Sequence, residues 1–403
     1  MKTYSSILPG AVLLLAAAGF LRYAPRWDSF SAFVGIYPYV VWVAGVLLGW
    51  RFNRSRLVFA VLVLALGDQA LLRYFPAGSG GDTFNPVVFG AVAFLLPINL
   101  AAISLITERG FGTPRGLARL GLILFQLVLV AWIIRPEQAE RASWLDWPMF
   151  EIGVTGWTPL PQPALLAFLG AFILLAIRYL LHRSAIESGF VWATAAAFFG
   201  LNAGEGGITS TVYLSTAGFI LVIAVIETSY SMAYRDELSG LPARRALNEA
   251  LLQLGSGYAV AMVDVDHFKK FNDEYGHDVG DQVLRMVASR LLEVSGGGKA
   301  FRYGGEEFTV IFSGKSAEEA IPHLETVRGI IKRSSFALRG KGRPRKKPQK
   351  PKATSRPRKE VSVTVSVGVA EPDRRHTTPD QVIKAADKAL YRAKKGGRNQ
   401  VQT

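Results

Sequence analysis

The chain has 403 residues, half of them hydrophobic and 19% charged, with a formal net charge of +15. It contains no cysteine, which excludes disulfide scaffolds, thiolate metal sites and cysteine nucleophiles. Residues 1–229 hold only 14 of the 46 Lys and Arg and 11 of the 31 Asp and Glu, so a nearly charge-free half precedes one of ordinary charge density. That asymmetry excludes a single soluble globular domain and a disordered or fibrous chain.

In chain order, eight apolar stretches come first, near 6–22, 30–50, 57–75, 86–107, 117–135, 163–182, 186–201 and 208–229. Each approaches the ~20 residues that a helix needs to cross a hydrocarbon core. The first also resembles a signal peptide, because Lys2 precedes the apolar run. Arg22, Tyr23 and Pro25 make a poor cleavage site, so it is read as an uncleaved first crossing. The seventh is the least apolar. Eight crossings place the N-terminus and the charged half on one side of the membrane. Loops on that side carry nine basic residues against five on the other, the positive-inside direction. Trp144, Trp147 and Trp157, in the long outer segment 136–162, suit the membrane interface. Asp68 lies inside the third stretch, where a charge is costly and often functional. The blander expectation is a residue near the outer interface, paired with Arg73 or snorkelling. No span shows paired acids or a repeated half, so residues 1–229 read as a sensor or anchor rather than a transporter.

After Gly218 nothing interrupts a helix as far as Arg235, so the last span continues into a helical linker over 230–238. The spacing then predicts a helix over 242–254, a buried strand over 258–263 and a helix over 267–274 that breaks at Gly276. A helix over 279–294 follows, then a hairpin of 299–303 and 307–312 around Gly304-Gly305, and a helix over 316–335. A strictly alternating strand, 361–367, and a helix over 379–395 complete the pattern. The fold class is therefore an α-helical polytopic membrane domain followed by an α+β domain over 236–403, with an antiparallel sheet flanked by helices.

Asp264 ends the buried strand, and Glu306 and Glu307 occupy the hairpin tip. If those strands are neighbours, three carboxylates meet at one sheet edge. Hard oxygen donors without His or Cys suit Mg²⁺ or Mn²⁺, which bind through one or two carboxylates plus substrate phosphates. Two glycines before the acids allow a phosphate close to the backbone, and Lys269, Arg302, Lys394 and Arg398 are cations that could neutralise it. The residues alone leave two readings: metal-dependent phosphate chemistry, or an ordinary hairpin with surface acids.

Six blocks in order carry a resemblance. Arg302-Tyr303-Gly304-Gly305-Glu306-Glu307-Phe308 resembles the signature of the GGDEF family, the diguanylate cyclases. Asp236-Glu237-Leu238-Ser239-Gly240-Leu241-Pro242-Ala243-Arg244-Arg245 is similar to the family's opening motif, departing from it at Ser239 and Ala243. Asp264 to Asp273 resembles its D-x-D-x-F-K-x-x-N-D block, and Gly276 to Asp281 its G-H-x-x-G-D block. Val365 to Ala370 and Ala386 to Asn399 resemble the closing motifs. The resemblance covers 236–399 and says nothing about 1–229.

Together with the apolar spans and their loop charges, it implies a membrane-bound enzyme, in a bacterial inner membrane with its N-terminus and cyclase domain cytoplasmic. Two GTP-loaded domains of a homodimer would condense two GTP into cyclic di-GMP and two pyrophosphates. The resemblance also implies two metal ions per site, Mg²⁺ or Mn²⁺. They would be held by Asp264, the Val265 carbonyl, Glu306 and, less firmly, Glu307, with Glu306 also deprotonating the 3′-hydroxyl. Phe268 and Lys269 would meet the β and γ phosphates through their backbone N–H groups. Asn272 and Asp281 would read the guanine edge, and Lys394 and Arg398 would hold the phosphate tail. His277, Arg302, Gly304 and Gly305 complete the implied substrate-binding set. The alternative implied by the same fold is a catalytically inactive GTP-binding receptor or scaffold at the membrane.

Two departures from the family matter. Its inhibitory product motif R-x-x-D falls here on Ser295, Gly296, Gly297 and Gly298, so no inhibitory product site is expected. Residues 339–359 form an insert with 11 Lys and Arg and no acid, expected to be a disordered loop. It reads either as a solvated linker or as a tether to anionic lipid. Nucleic acid is the less favoured partner, because the run holds no aromatic residue to stack on bases.

Overall fold

A computed structural model describes residues 8–23, 30–74, 86–108, 110–138, 143–147, 149, 157–203, 207–255, 257–337 and 360–403. The basic insert at 339–359, with its expected disorder, lies outside the described residues, as does most of 139–156. The chain divides into two compact units, Met1–Ser229 and Tyr230–Thr403.

The first unit is helical. Its helices are α1 (Leu8–Tyr23), α2 (Phe30–Arg51), α3 (Ser55–Tyr74), α4 (Pro86–Leu105), α5 (Pro114–Ile133), α6 (Gln162–His182), α7 (Ala185–Asn202) and α8 (Ile208–Tyr234). Six of them, α2 to α6 and α8, are long and apolar enough to cross a membrane. Two of the eight expected spans fall short of that standard. Helix α1 has 16 residues, and α7 has 18 with Glu187 among them. Protein neighbours bury much of α7, including Phe190, Ala193, Ala196 and Ala197, so its surface need not be as apolar as one facing lipid. Local chemistry sets several ends. Thr113 caps α5 by accepting from the Gly116 N–H ahead of Pro114, Ser184 caps α7 by accepting from the Glu187 N–H, and Arg183 closes α6 at φ +48°.

Charged groups inside this unit are shared between helices. The Glu187 carboxylate receives Arg56 at 2.9 Å and Arg178 at 2.8 Å, with Glu187 itself only 3% exposed. Arg56 also donates to the Ser104 carbonyl at 2.6 Å, and Ser55 donates to Glu108 at 2.8 Å. One cluster thus knits the ends of α3, α4, α6 and α7. Asp68 departs from expectation. It is fully buried, and Arg73 is exposed rather than paired with it. Five residues apart on a helix is a separation of about 140° around the axis, so the two side chains leave α3 on different faces.

In the second unit, α9 (Arg244–Leu252), α10 (Phe268–Tyr275), α11 (His277–Leu291), α12 (Ala317–Arg333) and α13 (Pro379–Lys395) pack on a five-stranded sheet of order β2-β3-β1-β6-β7. Its strands are β1 (Tyr258–Val265), β2 (Lys299–Gly304), β3 (Glu307–Ser313), β6 (Val365–Ala370) and β7 (Val401–Gln402), and β4 (Ser335–Ala337) pairs with β5 (Glu360–Ser362) in a separate ribbon. The apolar run of β1 makes it central, buried throughout and antiparallel to both β3 and β6. Its residues alternate between faces. Ala259, Ala261, Val263 and Val265 join the core with α11 and α12, whereas Tyr258, Val260 and Met262 join the one with α9 and α13.

Two expectations need correcting. The sheet is mixed, because β7 runs parallel to β6. The strand expected over 361–367 is two strands, β5 and β6, because Val363 and Thr364 leave the ladder between them. The Asp266 N–H instead donates to the Thr364 carbonyl at 2.9 Å.

Gly368 lets α13 approach the sheet. A Cβ there would lie 2.0 Å from the Leu390 nitrogen and 2.2 Å from the Ala386 oxygen, both backbone atoms that cannot rotate away. Gly368→Ala should therefore cost about 1–3 kcal/mol or more and lower the thermal midpoint of this unit by several degrees in the detergent-purified chain. An unchanged midpoint would show that the helix can recede freely.

Candidate active site at the β1 edge and the hairpin tip

The register of β1 against β3 pairs Asp264 with Glu307, and the Val265 N–H reaches the Glu306 carbonyl at 3.4 Å. The turn between β2 and β3 places Gly305 at φ +42° and projects Glu306 beside the end of β1. The three carboxylates expected to converge are thus brought to one edge, next to the Val265 backbone. Asp264 is 4% exposed and forms an ion pair with Lys394 of α13 at 2.9 Å.

The electrostatics record crowding. Burial, reinforced by the neighbouring Asp266, pushes the Asp264 carboxyl above its ordinary range despite Lys394. Glu306 is raised by burial and then by Asp264 and Glu307, and Glu307 by burial and then by Asp264 and Asp387. These are hard oxygen donors short of positive charge, and their chemistry fits Mg²⁺ or Mn²⁺. They do not form a closed cage. Among the described residues no three His, Asp or Glu side chains are gathered closely enough to enclose an ion, and Lys394 occupies one Asp264 oxygen. The arrangement suits an ion that takes its remaining ligands from a substrate phosphate.

Arg302 has a different employment from the one its charge suggested. It pairs with Asp236 at 2.5 Å and donates to the Gly305 carbonyl at 2.7 Å, tying the hairpin tip to the segment before α9. Burial opposes ionisation of Asp236, but Ser239 and Arg302 outweigh it and hold that carboxyl below its usual range. Gly304 and Gly305 are both exposed, with open space where a Cβ would stand.

On the other side of β1, His267 at φ +56° starts α10, with Phe268 buried and Lys269 exposed in its first turn. The first N–H groups of such a helix lack intrahelical acceptors. Gly276 at φ +87° turns the chain into α11, whose first residue, His277, is exposed. This corner brings Asn272 against the start of α11. A Cβ on Gly280 would stand 1.9 Å from the Asn272 Oδ1, and that oxygen is buried without a hydrogen-bond partner. Asp281 follows directly, half-buried. Arg398 is exposed at φ +63° in the turn after α13, and its charge is felt at Asp264. Ser295 to Gly298 form the turn after α11, where the Ser295 hydroxyl meets His323 Nδ1 at 2.8 Å.

Sequence reasoning gave Asp266 no role. It is 6% exposed and accepts from Ser366 at 2.6 Å, Thr364 at 2.6 Å and the Asn399 N–H at 3.1 Å. A usable signal was present, since Thr364 and Ser366 are two of the three polar residues in the otherwise all-valine run 361–367.

Residues 233–400 match the family model described as "Diguanylate cyclase, GGDEF domain". The chain is similar to the response regulator PleD of Caulobacter vibrioides, 34% identical over 184 residues, which are 44% of this chain and 37% of that protein. It is also similar to the diguanylate cyclase VdcA of Vibrio cholerae, 38% identical over 170 residues, 41% of this chain and 45% of that one. A solved coiled coil and GGDEF domain of DgcB from Caulobacter crescentus, in complex with c-di-GMP, is 31% identical. The likeness covers 47% of this chain and 94% of that one, with a TM-score of 0.41. The chain thus spans about two-fifths of the length of these two curated relatives.

The raised carboxyls have a stability consequence. A carboxyl raised on folding stabilises the native state fully below its ordinary range, and that contribution is lost as pH rises through the raised value. Glu306→Gln removes this loss. Its melting temperature should therefore exceed that of the wild type at about pH 7, and the difference should shrink toward about pH 4. A variant less stable than the wild type at neutral pH would show that Glu306 is held by favourable contacts instead.

Proposed function

We propose that this membrane protein, whose residues 233–400 belong to the GGDEF family of diguanylate cyclases, condenses two GTP into cyclic di-GMP and two pyrophosphates. The observation that carries the reading is the meeting of Asp264, Glu306 and Glu307 at one sheet edge, each with its carboxyl raised. Two such domains, as a homodimer, present their GTP molecules to each other. Each 3′-hydroxyl attacks the α-phosphorus of the opposite GTP. One O–P bond forms there, the α–β bond breaks, pyrophosphate leaves with the electron pair, and Glu306 takes the hydroxyl proton.

Asp264, the Val265 carbonyl, Glu306 and Glu307 would hold Mg²⁺ or Mn²⁺, two per site. When bound, the metal neutralises phosphate charge and lowers the pKa of the attacking hydroxyl. The N–H groups of Phe268 and Lys269 take the β and γ phosphates, and Gly304 and Gly305 leave room for them. Asn272 and Asp281 bind the guanine edge. An ionised Asp only accepts hydrogen bonds, so it suits the guanine N1–H and amino donors and repels adenine N1. Lys394, now on Asp264, and Arg398 hold the phosphate tail, with His277 at the rim. Arg302 keeps the hairpin tip in place. The pairing of Lys394 with Asp264 is what favours the second reading, a GTP-binding receptor without turnover.

On this reading the enzyme sits in a bacterial inner membrane, with the N-terminus and residues 230–403 on the cytoplasmic side where GTP is found; the six long apolar helices and the loop charges support it. The 11 basic residues of the 339–359 insert add attraction to an anionic leaflet, at ~1 kcal/mol for each one near the surface.

Nucleotide analysis of the full chain with GTP and Mg²⁺ tests the reading. Glu306→Gln should lose cyclic di-GMP formation by about a hundredfold or more while melting no lower than the wild type. Near-normal turnover in that variant would remove Glu306 from the chemistry, and no turnover in the wild type would leave the receptor reading. Feedback gives a separate check. Ser295 to Gly298 offer no guanidinium or carboxylate, so added cyclic di-GMP should inhibit initial rates weakly and only at low salt. Tight inhibition that persists at physiological salt would reveal a product site elsewhere.

A further inference from the structure

Asp68 of α3 is 0% exposed, and among the described residues neither of its carboxylate oxygens has a hydrogen-bond partner. Thr211 and Gln69 lie beside it without reaching hydrogen-bond geometry. The Thr211 hydroxyl is itself buried and unpartnered, and so is that of Ser215. Those two residues are four apart on α8, so they share one helix face. Buried oxygens with open lone pairs therefore meet where Asp68 of α3 lies beside Thr211 of α8, and Ser215 adds another about one turn further along that face of α8.

Among the described residues no counter-charge reaches them. Helices α2, α4 and α5 pack on α3. Helix α4 has no charged residue, and α2 has only Arg51, four residues before Ser55 at the start of α3. Helix α5 has Arg115 and Arg119, and Arg119 lies at the Thr107 carbonyl, at the α4 end that also meets Arg56. Arg56 is twelve residues from Asp68, about 18 Å along the helix, and Glu227 of α8 is about 24 Å from Thr211. Of the nearby phenols, Tyr37 is engaged by Thr216 at 3.3 Å, while Tyr74 and Tyr213 are only partly buried. A bare carboxylate in such surroundings costs several kcal/mol, so the group is satisfied by taking up a positive charge.

We propose that Asp68, with the hydroxyls of Thr211 and Ser215, forms a binding site inside the membrane unit for a small monovalent cation, taken as a proton on the carboxylate or as a sodium ion. Oxygen donors alone suit both, and neither requires a charged partner. The proposal stands apart from the cyclase reading and is tested without it.

The experiment uses the full chain in detergent and reads melting temperature for the wild type, Asp68→Asn and Thr211→Val. In one arm sodium is raised from zero to about 200 mM, with choline holding ionic strength constant. A ligand that binds only the folded state raises the midpoint by mass action. If the cation is sodium, the wild type gains several degrees, Asp68→Asn gains none, and Thr211→Val needs severalfold more sodium. In the other arm pH is raised from roughly 5 to 8 without sodium. If the cation is a proton, the wild type loses stability relative to Asp68→Asn as pH rises. A second measurement needs no variant. An apolar carbodiimide should modify Asp68 in the wild type when the carboxyl is protonated, and either sodium or high pH should suppress the adduct. Identical responses of wild type and Asp68→Asn in both arms, or Asp68 labelling indifferent to sodium and pH, would overturn the proposal.

Discussion

The second unit depends on how one buried carboxylate is satisfied. Asp266 follows directly on the central strand and accepts hydrogen bonds from Thr364, Ser366 and the Asn399 N–H. Hydrogen bonds to a charged group contribute about 1.5–3 kcal/mol each, and leaving such a group unmade inside a protein costs more. These three contacts join β1 to β6 and to the turn after α13. That turn carries Arg398, and Asn399 in it is also held by Arg328 of α12 at 2.7 Å. The ends of three elements are thus fixed around one side chain. Asp264, two residues earlier, is positioned by this arrangement without having to supply any of it.

The neighbouring carboxylates show the opposite logic. Asp266 is fully bonded, whereas Asp264, Glu306 and Glu307 are crowded and raised. A fold selected only for stability would replace at least one of them with an amide. Their retention makes sense where charge is needed for a ligand that arrives from outside. Lys394 then works as a provisional counter-charge. It is partly exposed on the last turn of a helix, so it can exchange partners at low cost.

Much of this was legible in the sequence because it rests on local patterns. The eight helical stretches follow from apolar length, and the hairpin follows from two strand runs around Gly304-Gly305. The central strand follows from an uninterrupted apolar run, and the meeting of Asp264 with Glu306 and Glu307 needed one thing more, that β1 and β3 are neighbours, which their register supplies. What escaped depends on contacts distant in sequence. Arg302 looked like a free cation until its partner Asp236, 66 residues away, was seen. Asp266 looked like half of a motif until Ser366, 100 residues away, was placed opposite it. Strict alternation over 361–367 could not reveal that Thr364 leaves the ladder to serve that carboxylate. The pairing expected for Asp68 and Arg73 rested on closeness in sequence, and a spacing of five on a helix does not bring side chains together.

The cluster of Arg56, Arg178 and Glu187 bears on how the membrane unit is made. Arg56 precedes Glu187 by 131 residues. At synthesis rates of about 5–20 residues per second, α3 exists for on the order of ten seconds before its partner has been translated. A guanidinium at a helix end can meanwhile stretch toward lipid headgroups and water, because its long stem reaches the interface. Helix α7 has no such recourse, since a glutamate side chain is short and this helix, unlike α6 and α8, falls short of the apolarity of a crossing. Its settling in the bilayer is therefore coupled to capture by arginines already in place. Translation order becomes part of the folding route: early helices act as receptors, and α7 is recruited as their ligand.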